Sequence, residues 1–194
     1  HYEEIFKIKN VINWLKKQSY FVCINLMQIS EVNYFKIKKF SKFLKNLNIN
    51  VLYFADSFGS LNSTSTSKTI KYFRKNWKKD LGIHAHNNMG LALSNSVFAN
   101  NAGVKWVDCT IHGMGRGPGN LRTEDIFKYY FKDQKKVSLL NNLIKKYFLK
   151  LKKKYKWGPN KYYALAAKFK IHPTYIQQLL ADKGYKPDDY INII

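Results

Sequence analysis

Four short apolar runs, at 20–27, 50–55, 81–84 and 105–109, constrain the fold of this chain more than any other feature. Each is followed by a stretch whose apolar side chains fall at helical spacing. Runs that are apolar on both faces suit strands of a parallel sheet, which is covered on each side. They begin 24 to 31 residues apart, the length of a strand–helix unit, so the pattern is βαβ. Ahead of them Ile5, Ile8, Val11, Ile12 and Leu15 predict a leading helix over 2–18. Further helices are expected from a Ser30 cap to about Leu47, near 66–77, over 89–101, and from an Asn120 cap to about Phe131. The repeat predicts an α/β fold of the (β/α)8 TIM-barrel type. A complete barrel takes roughly 250 residues. About four βα units over residues 1–135 therefore amount to half of one, the C-terminal half. Past residue 136 the pattern is helical: a Lys-rich helix to about Tyr155, a break at Trp157-Gly158-Pro159-Asn160, and two short helices, the second with Pro173 near its first position. Residues 136–194 are expected to form a small all-helical C-terminal domain.

The polar candidates fall where the strands end, which is where parallel α/β folds place their sites. Side chains at i and i+2 of a strand share a face, so His84 and His86 can offer two imidazole nitrogens to one divalent metal. Asp56 and Ser57 end the second strand; Asp56 is open to orienting a site group or to capping the turn over Gly59. Four glycines in the seven positions 113–119 make a loop that can turn sharply and approach a ligand, or simply a tight turn. Arg116 and Arg122, two of the three arginines, lie there, either to bind a carboxylate or as exposed surface. Asp108 reads as a structural hydrogen-bonding group, and His112 and His172 as ordinary histidines. Cys109 has no adjacent base, so buried packing is the expectation for it and for Cys23, as free thiols in a reducing cytoplasm.

Composition limits the partners. The net charge is +22, yet 31 of the 34 basic residues are lysines scattered over every helix. Arginine dominates specific base and phosphate recognition, so no specific nucleic-acid partner is expected. No apolar run approaches the roughly 18 residues of a membrane span, and acidic and basic residues interrupt the first ten positions, so neither a membrane nor a signal segment is expected. The positive field would still attract small anionic substrates.

Taken together, Asp56-Ser57-Phe58-Gly59, Gly82-Ile83-His84-Ala85-His86-Asn87-Asn88, and Val107-Asp108 through Gly113-Met114-Gly115-Arg116-Gly117-Pro118-Gly119-Asn120 resemble the DRE-TIM metallolyase superfamily, the HMGL-like or pyruvate carboxyltransferase domain. In this order and spacing they are most similar to the 4-hydroxy-2-oxovalerate aldolases, over their C-terminal portion. The resemblance implies a divalent-metal-dependent lyase, with Mn²⁺ or Mg²⁺, that cleaves a 4-hydroxy-2-oxo acid to pyruvate and an aldehyde through a metal-stabilised enolate. It implies His84 and His86 as metal ligands, Ser57 and His84 as substrate contacts, and Tyr175 as the catalytic tyrosine. In the acyl-CoA branches of the superfamily the asparagine that ends the glycine loop reaches the metal; that position is Asn120. The implied partners are a small-molecule 2-oxo acid and either an aldehyde dehydrogenase or further copies of the chain. Two other readings stand beside the aldolase. One is an acetyl-CoA-dependent condensing acyltransferase of the isopropylmalate or homocitrate synthase type. The other is a catalytically incomplete half-barrel that serves a partner, because the Asp-Arg-Glu that names the superfamily occurs nowhere in the sequence.

Overall fold

The computed structural model describes residues 1–186 and 189–194. The chain divides into two units: His1–Ser57, Leu61–His84 and Ser94–Val107 form the first, and Phe58–Ser60, Ala85–Leu93 and Asp108–Ile194 the second.

The first unit is built on a four-stranded sheet of order β1-β2-β3-β4, with β1 (Cys23–Leu26), β2 (Val51–Asp56), β3 (Asp80–Ala85) and β4 (Trp106–Asp108). β1 and β2 run parallel, from Cys23 opposite Val51 to Leu26 opposite Phe54. The expected α/β architecture of successive strand–helix units is present, with four strands. A 3₁₀ helix, Tyr2–Ile8, enters α1 (Lys9–Lys17), which buries Ile12 and leaves Val11 exposed. α2 (Tyr34–Lys45) buries Ile37, Phe40 and Leu44, and α3 (Ser63–Arg74) buries Ile70 and Phe73. Phe54 of β2 and Phe73 of α3 are both fully buried and stack 6.0 Å apart. Burying a side chain of that size contributes roughly 1.5–3 kcal/mol. α4 (Ala92–Asn101) ends at Gly103, whose φ of +86° lets the chain turn back.

Three expectations in this unit are corrected. β1 is not fully buried: only Leu26 of its four residues is, because β1 lies at the edge of the sheet. Cys23 is for the same reason an exposed free thiol, not a buried one; Cys109 is half-buried and free. Asn33, not Ser30, caps α2, its side-chain oxygen accepting the N–H of Lys36 at 3.0 Å. Residues Ile29–Glu31 form a separate 3₁₀ turn, and extended Val32 ends it before the helix can start.

The second unit holds the segments that follow β2, β3 and β4, and the helical C-terminus. α5 (Thr123–Tyr130) begins later than expected, and Asn120 does not cap it. The chain stays extended to Arg122, which pairs with Thr110, while Asn120 pairs with His86 in an antiparallel bridge. The Lys-rich helix is present as α6 (Gln134–Leu143) and α7 (Leu149–Tyr155), joined by a π-helical stretch, Ile144–Phe148. Lys156 stops α7 in the left-handed conformation, at φ +52°. α8 (Lys161–Lys168) and α9 (Pro173–Ala181) follow, and Tyr163, Ala166 and Ile176 form their buried core. The last helix is α10 (Asp189–Ile193).

Candidate active site

Ser57 follows β2 directly. Its Oγ accepts the backbone N–H of Gln28 at 2.9 Å, which leaves the hydroxyl proton for another acceptor. Gln28 takes the left-handed conformation, and its side chain lies 2.6 Å from His1 Nε2. Asp56 is 2% exposed, and its Oδ2 accepts the N–H of Leu61 at 3.0 Å. The Asp56 carboxylate thus holds the turn, as one of its two readings had it.

β3 ends with half-buried His84 and Ala85, and half-buried His86 follows. The end of the glycine loop is fastened alongside. Leu121 N–H donates to Ala85 O at 3.1 Å and Asn87 N–H to Gly119 O at 3.0 Å, on either side of the His86–Asn120 bridge. Gly119 is required here: at φ +77° an added Cβ would run into the Gly113 carbonyl. The Asn120 Nδ2 donates to Met114 O at 3.2 Å, whereas its Oδ1 is buried and has no hydrogen-bond partner among the described residues. A buried acceptor without a donor costs about 1–3 kcal/mol. Two imidazoles at i, i+2 and a free amide oxygen on the residue bridged to the second of them are donor types that suit a divalent ion. Among the described residues no three His, Cys, Asp or Glu side chains gather to hold a metal. Asn88 is also fully buried with its carboxamide unpartnered among the described residues. It packs so closely on Gly59 that a Cβ there would overlap it.

Reading the sequence missed a second constellation. His112 sits at φ +55°, a conformation uncommon for any residue but glycine. Its Nδ1 lies 3.2 Å from Glu124 Oε1, its backbone N–H donates to Glu124 Oε2 at 3.0 Å, and its carbonyl accepts the Trp157 indole N–H at 3.0 Å. Glu124 is 5% exposed. The signal in the sequence was a glutamate in the first helical turn after the glycine loop, in a chain with only 12 acidic residues. Arg122 is taken up by Asp125 through two hydrogen bonds, 2.7 and 2.9 Å, and that carboxylate raises its pKa. Burial lowers the pKa of His172, and the charge of Arg116 lowers it further.

Beside His112 and Arg122 opens a cleft of about 590 Å³, lined also by Asn87, Asn120, Lys152, Lys156 and Trp157; Ser57, His84 and His86 do not line it. Tyr175 is not among its lining residues. It is 66% exposed on α9 and borders a shallow apolar cleft of about 290 Å³ with Ile176 and Leu179.

A strand–helix sheet with its polar groups at the strand ends defines a parallel α/β protein of the barrel kind. Residues 2–143 match the HMGL-like family, and the chain belongs to it. It is 36% identical over 99 residues to a 4-hydroxy-2-oxovalerate aldolase of Pelotomaculum thermopropionicum, a match covering 51% of this chain and 29% of that enzyme. It is 27% identical over 124 residues to 2-isopropylmalate synthase 2 of Caldanaerobacter subterraneus subsp. tengcongensis, covering 62% of this chain and 32% of the relative. The crystal structure of the N-terminal domain of a Bacteroides vulgatus protein assigned as an aldolase superposes with a TM-score of 0.82 at 26% identity, over 100% of this chain and 64% of that one. The match thus spans about a third or less of each of these curated relatives. Among the described residues no helix is long and apolar enough to cross a membrane.

Proposed function

We propose that this chain provides the His-x-His part of a divalent-metal-dependent carbon–carbon lyase, one that cleaves a 4-hydroxy-2-oxo acid to pyruvate and an aldehyde in the cytoplasm. The observation that carries the proposal is the buried, unpartnered Oδ1 of Asn120 on the residue bridged to His86. His84, His86 and Asn120 hold the metal, Mn²⁺ or Mg²⁺. When bound, the ion supplies Lewis acidity toward the 2-oxo group of the substrate. Ser57, one lone pair of which is engaged by Gln28 N–H, donates a hydrogen bond from its hydroxyl to the substrate carboxylate. His84 also contacts the substrate. Tyr175, exposed on α9, is assigned the proton transfer that accompanies cleavage. The similarity to an isopropylmalate synthase supports a second reading, condensation with acetyl-CoA. Acetyl-CoA-dependent thiol release, with no pyruvate formed from a 4-hydroxy-2-oxo acid, would favour it. An aldehyde dehydrogenase that takes up the released aldehyde, or further copies of the chain, are the proposed partners.

Calorimetric titration with Mn²⁺ tests the metal assignment without reference to turnover. His84→Ala and His86→Ala should each abolish binding, and Asn120→Ala should weaken it by about tenfold, in line with loss of a ligating oxygen. Unchanged affinity in both histidine variants would remove the central claim.

A further inference from the structure

We propose that the cleft between the glycine loop and the segment after α7 is a binding site for a phosphomonoester on a hydroxylated carbon skeleton, with Lys152 and Lys156 as its charges. The inference uses none of the metal assignment, although Asn120 also lines this cleft. All the lining residues belong to the second unit. A volume of about 590 Å³ is in the range of small-molecule sites and exceeds what a single inorganic ion fills.

The lining is positive and uncompensated. Among the described residues no Asp or Glu borders the cleft. Of its three cations, Arg122 is neutralised by Asp125. Lys152 and Lys156 have no ion-pair partner among the described residues. Their placement is built into the backbone. Gly158 leaves room for the Lys152 ammonium, since a Cβ there would lie 3.3 Å from Nζ. Lys156 occupies a left-handed position where glycine or asparagine is the usual choice, held by its N–H to Lys152 O at 2.8 Å.

The neutral groups point to the same ligand. The Asn87 Oδ1 accepts the Ala92 N–H, and the Asn160 Oδ1 accepts the N–H groups of Tyr162 and Tyr163. Asn160 therefore has only its NH₂ group left for the cleft, and Asn87 its NH₂ group and one oxygen lone pair. Two ammonium groups and two amide NH₂ groups make the lining rich in donors. Planar carboxylates are matched best by the fork of an arginine, and here two arms of that fork are engaged by Asp125. Point charges and separate amide donors suit a tetrahedral group with three oxygens instead. His112 adds the contrasting element. In the neutral tautomer whose Nδ1–H is directed to Glu124, Nε2 is an acceptor and fits a hydroxyl on the carbon skeleton that bears the phosphate.

The test is calorimetry or ³¹P NMR on the protein in chelator, with no metal, using glycerol 3-phosphate, ribose 5-phosphate, inorganic phosphate and succinate at one ionic strength. The phosphomonoesters should bind severalfold tighter than inorganic phosphate and more than tenfold tighter than succinate. Lys152→Met with Lys156→Met should weaken them at least tenfold. Lys156→Gly is the second variant, because glycine relieves the left-handed position, so weaker binding with equal or higher thermal stability cannot come from unfolding. Succinate or inorganic phosphate binding as tightly as the esters would overturn the proposal, and so would unchanged affinity in both lysine variants. Loss of Mn²⁺ binding on His84→Ala with phosphate binding intact, or the reverse, would separate this proposal from the lyase assignment.

Discussion

His172 caps α9: its Nδ1 accepts the Thr174 N–H at 3.3 Å, and its ring meets Phe58 edge-on, 5.4 Å between centroids. Burial first, and Arg116 second, hold its pKa below the ordinary 6.5. The unfolded chain therefore takes up this proton before the folded one does. The contribution to stability is whole above about pH 6.5 and is lost as the pH falls through the lower folded value. Proton NMR of the His172 ring should show a midpoint below 6.5, and Arg116→Gln should move it up. A midpoint that ignores the substitution would mean the guanidinium is not felt. Single residues are also where the sequence was least legible. The His112–Glu124 pair depends on a left-handed histidine at φ +55°, and nothing in residue type announces that conformation. His84 and His86 were legible because alternation along a strand follows from backbone geometry alone.

The start of β3 is tied to the start of β4 by one carboxylate. Asp80 pairs with Lys105 at 3.0 Å and accepts the Trp106 indole N–H at 3.2 Å. The hydrogen bonds from Lys105 and then Trp106 lower its pKa below the usual 3.8. The depressed value means this tie is fully present above about pH 3.8 and lost as the pH falls through the folded pKa. Urea midpoints between pH 6 and pH 3 should fall less steeply for Asp80→Asn than for the native chain; equal slopes would show that the tie adds nothing. At this scale the elements themselves were legible where tertiary context agreed with local pattern. β2 is apolar on both faces and buried at every residue. α2 was misplaced at its start because Ser30 and Asn33 are both good caps, and only the intervening 3₁₀ turn decides between them. The exposure of Cys23 was not legible, since burial at a sheet edge depends on what lies beside the strand.

At the scale of the whole molecule, the apolar surface of the first unit matters most. Phe35 is 76% exposed, Phe21 60%, Trp14 58% and Tyr20 55%, and β1 ends the sheet beside the last of these. Open strand edges and aromatic surface of this kind promote association. The 194-residue chain by itself should therefore self-associate at micromolar concentration, and light scattering should report more than its 22.9 kDa. Adding a preceding strand–helix segment that bears Asp-Arg-Glu should suppress this. A monodisperse 22.9 kDa species with no added segment would count against it. The π-helical stretch at Ile144–Phe148 has a consequence in terms of descent. A π-turn is an α-helix with one residue inserted, and each residue turns a helix by about 100°. The wider π-turn takes up that extra residue, so losing one codon there would restore a plain helix and leave every lysine beyond it facing as before. The orientation of Lys152 and Lys156 is thus a heritable setting that survives the gain or loss of that one residue, insulated from small changes in the length of the helix that carries it.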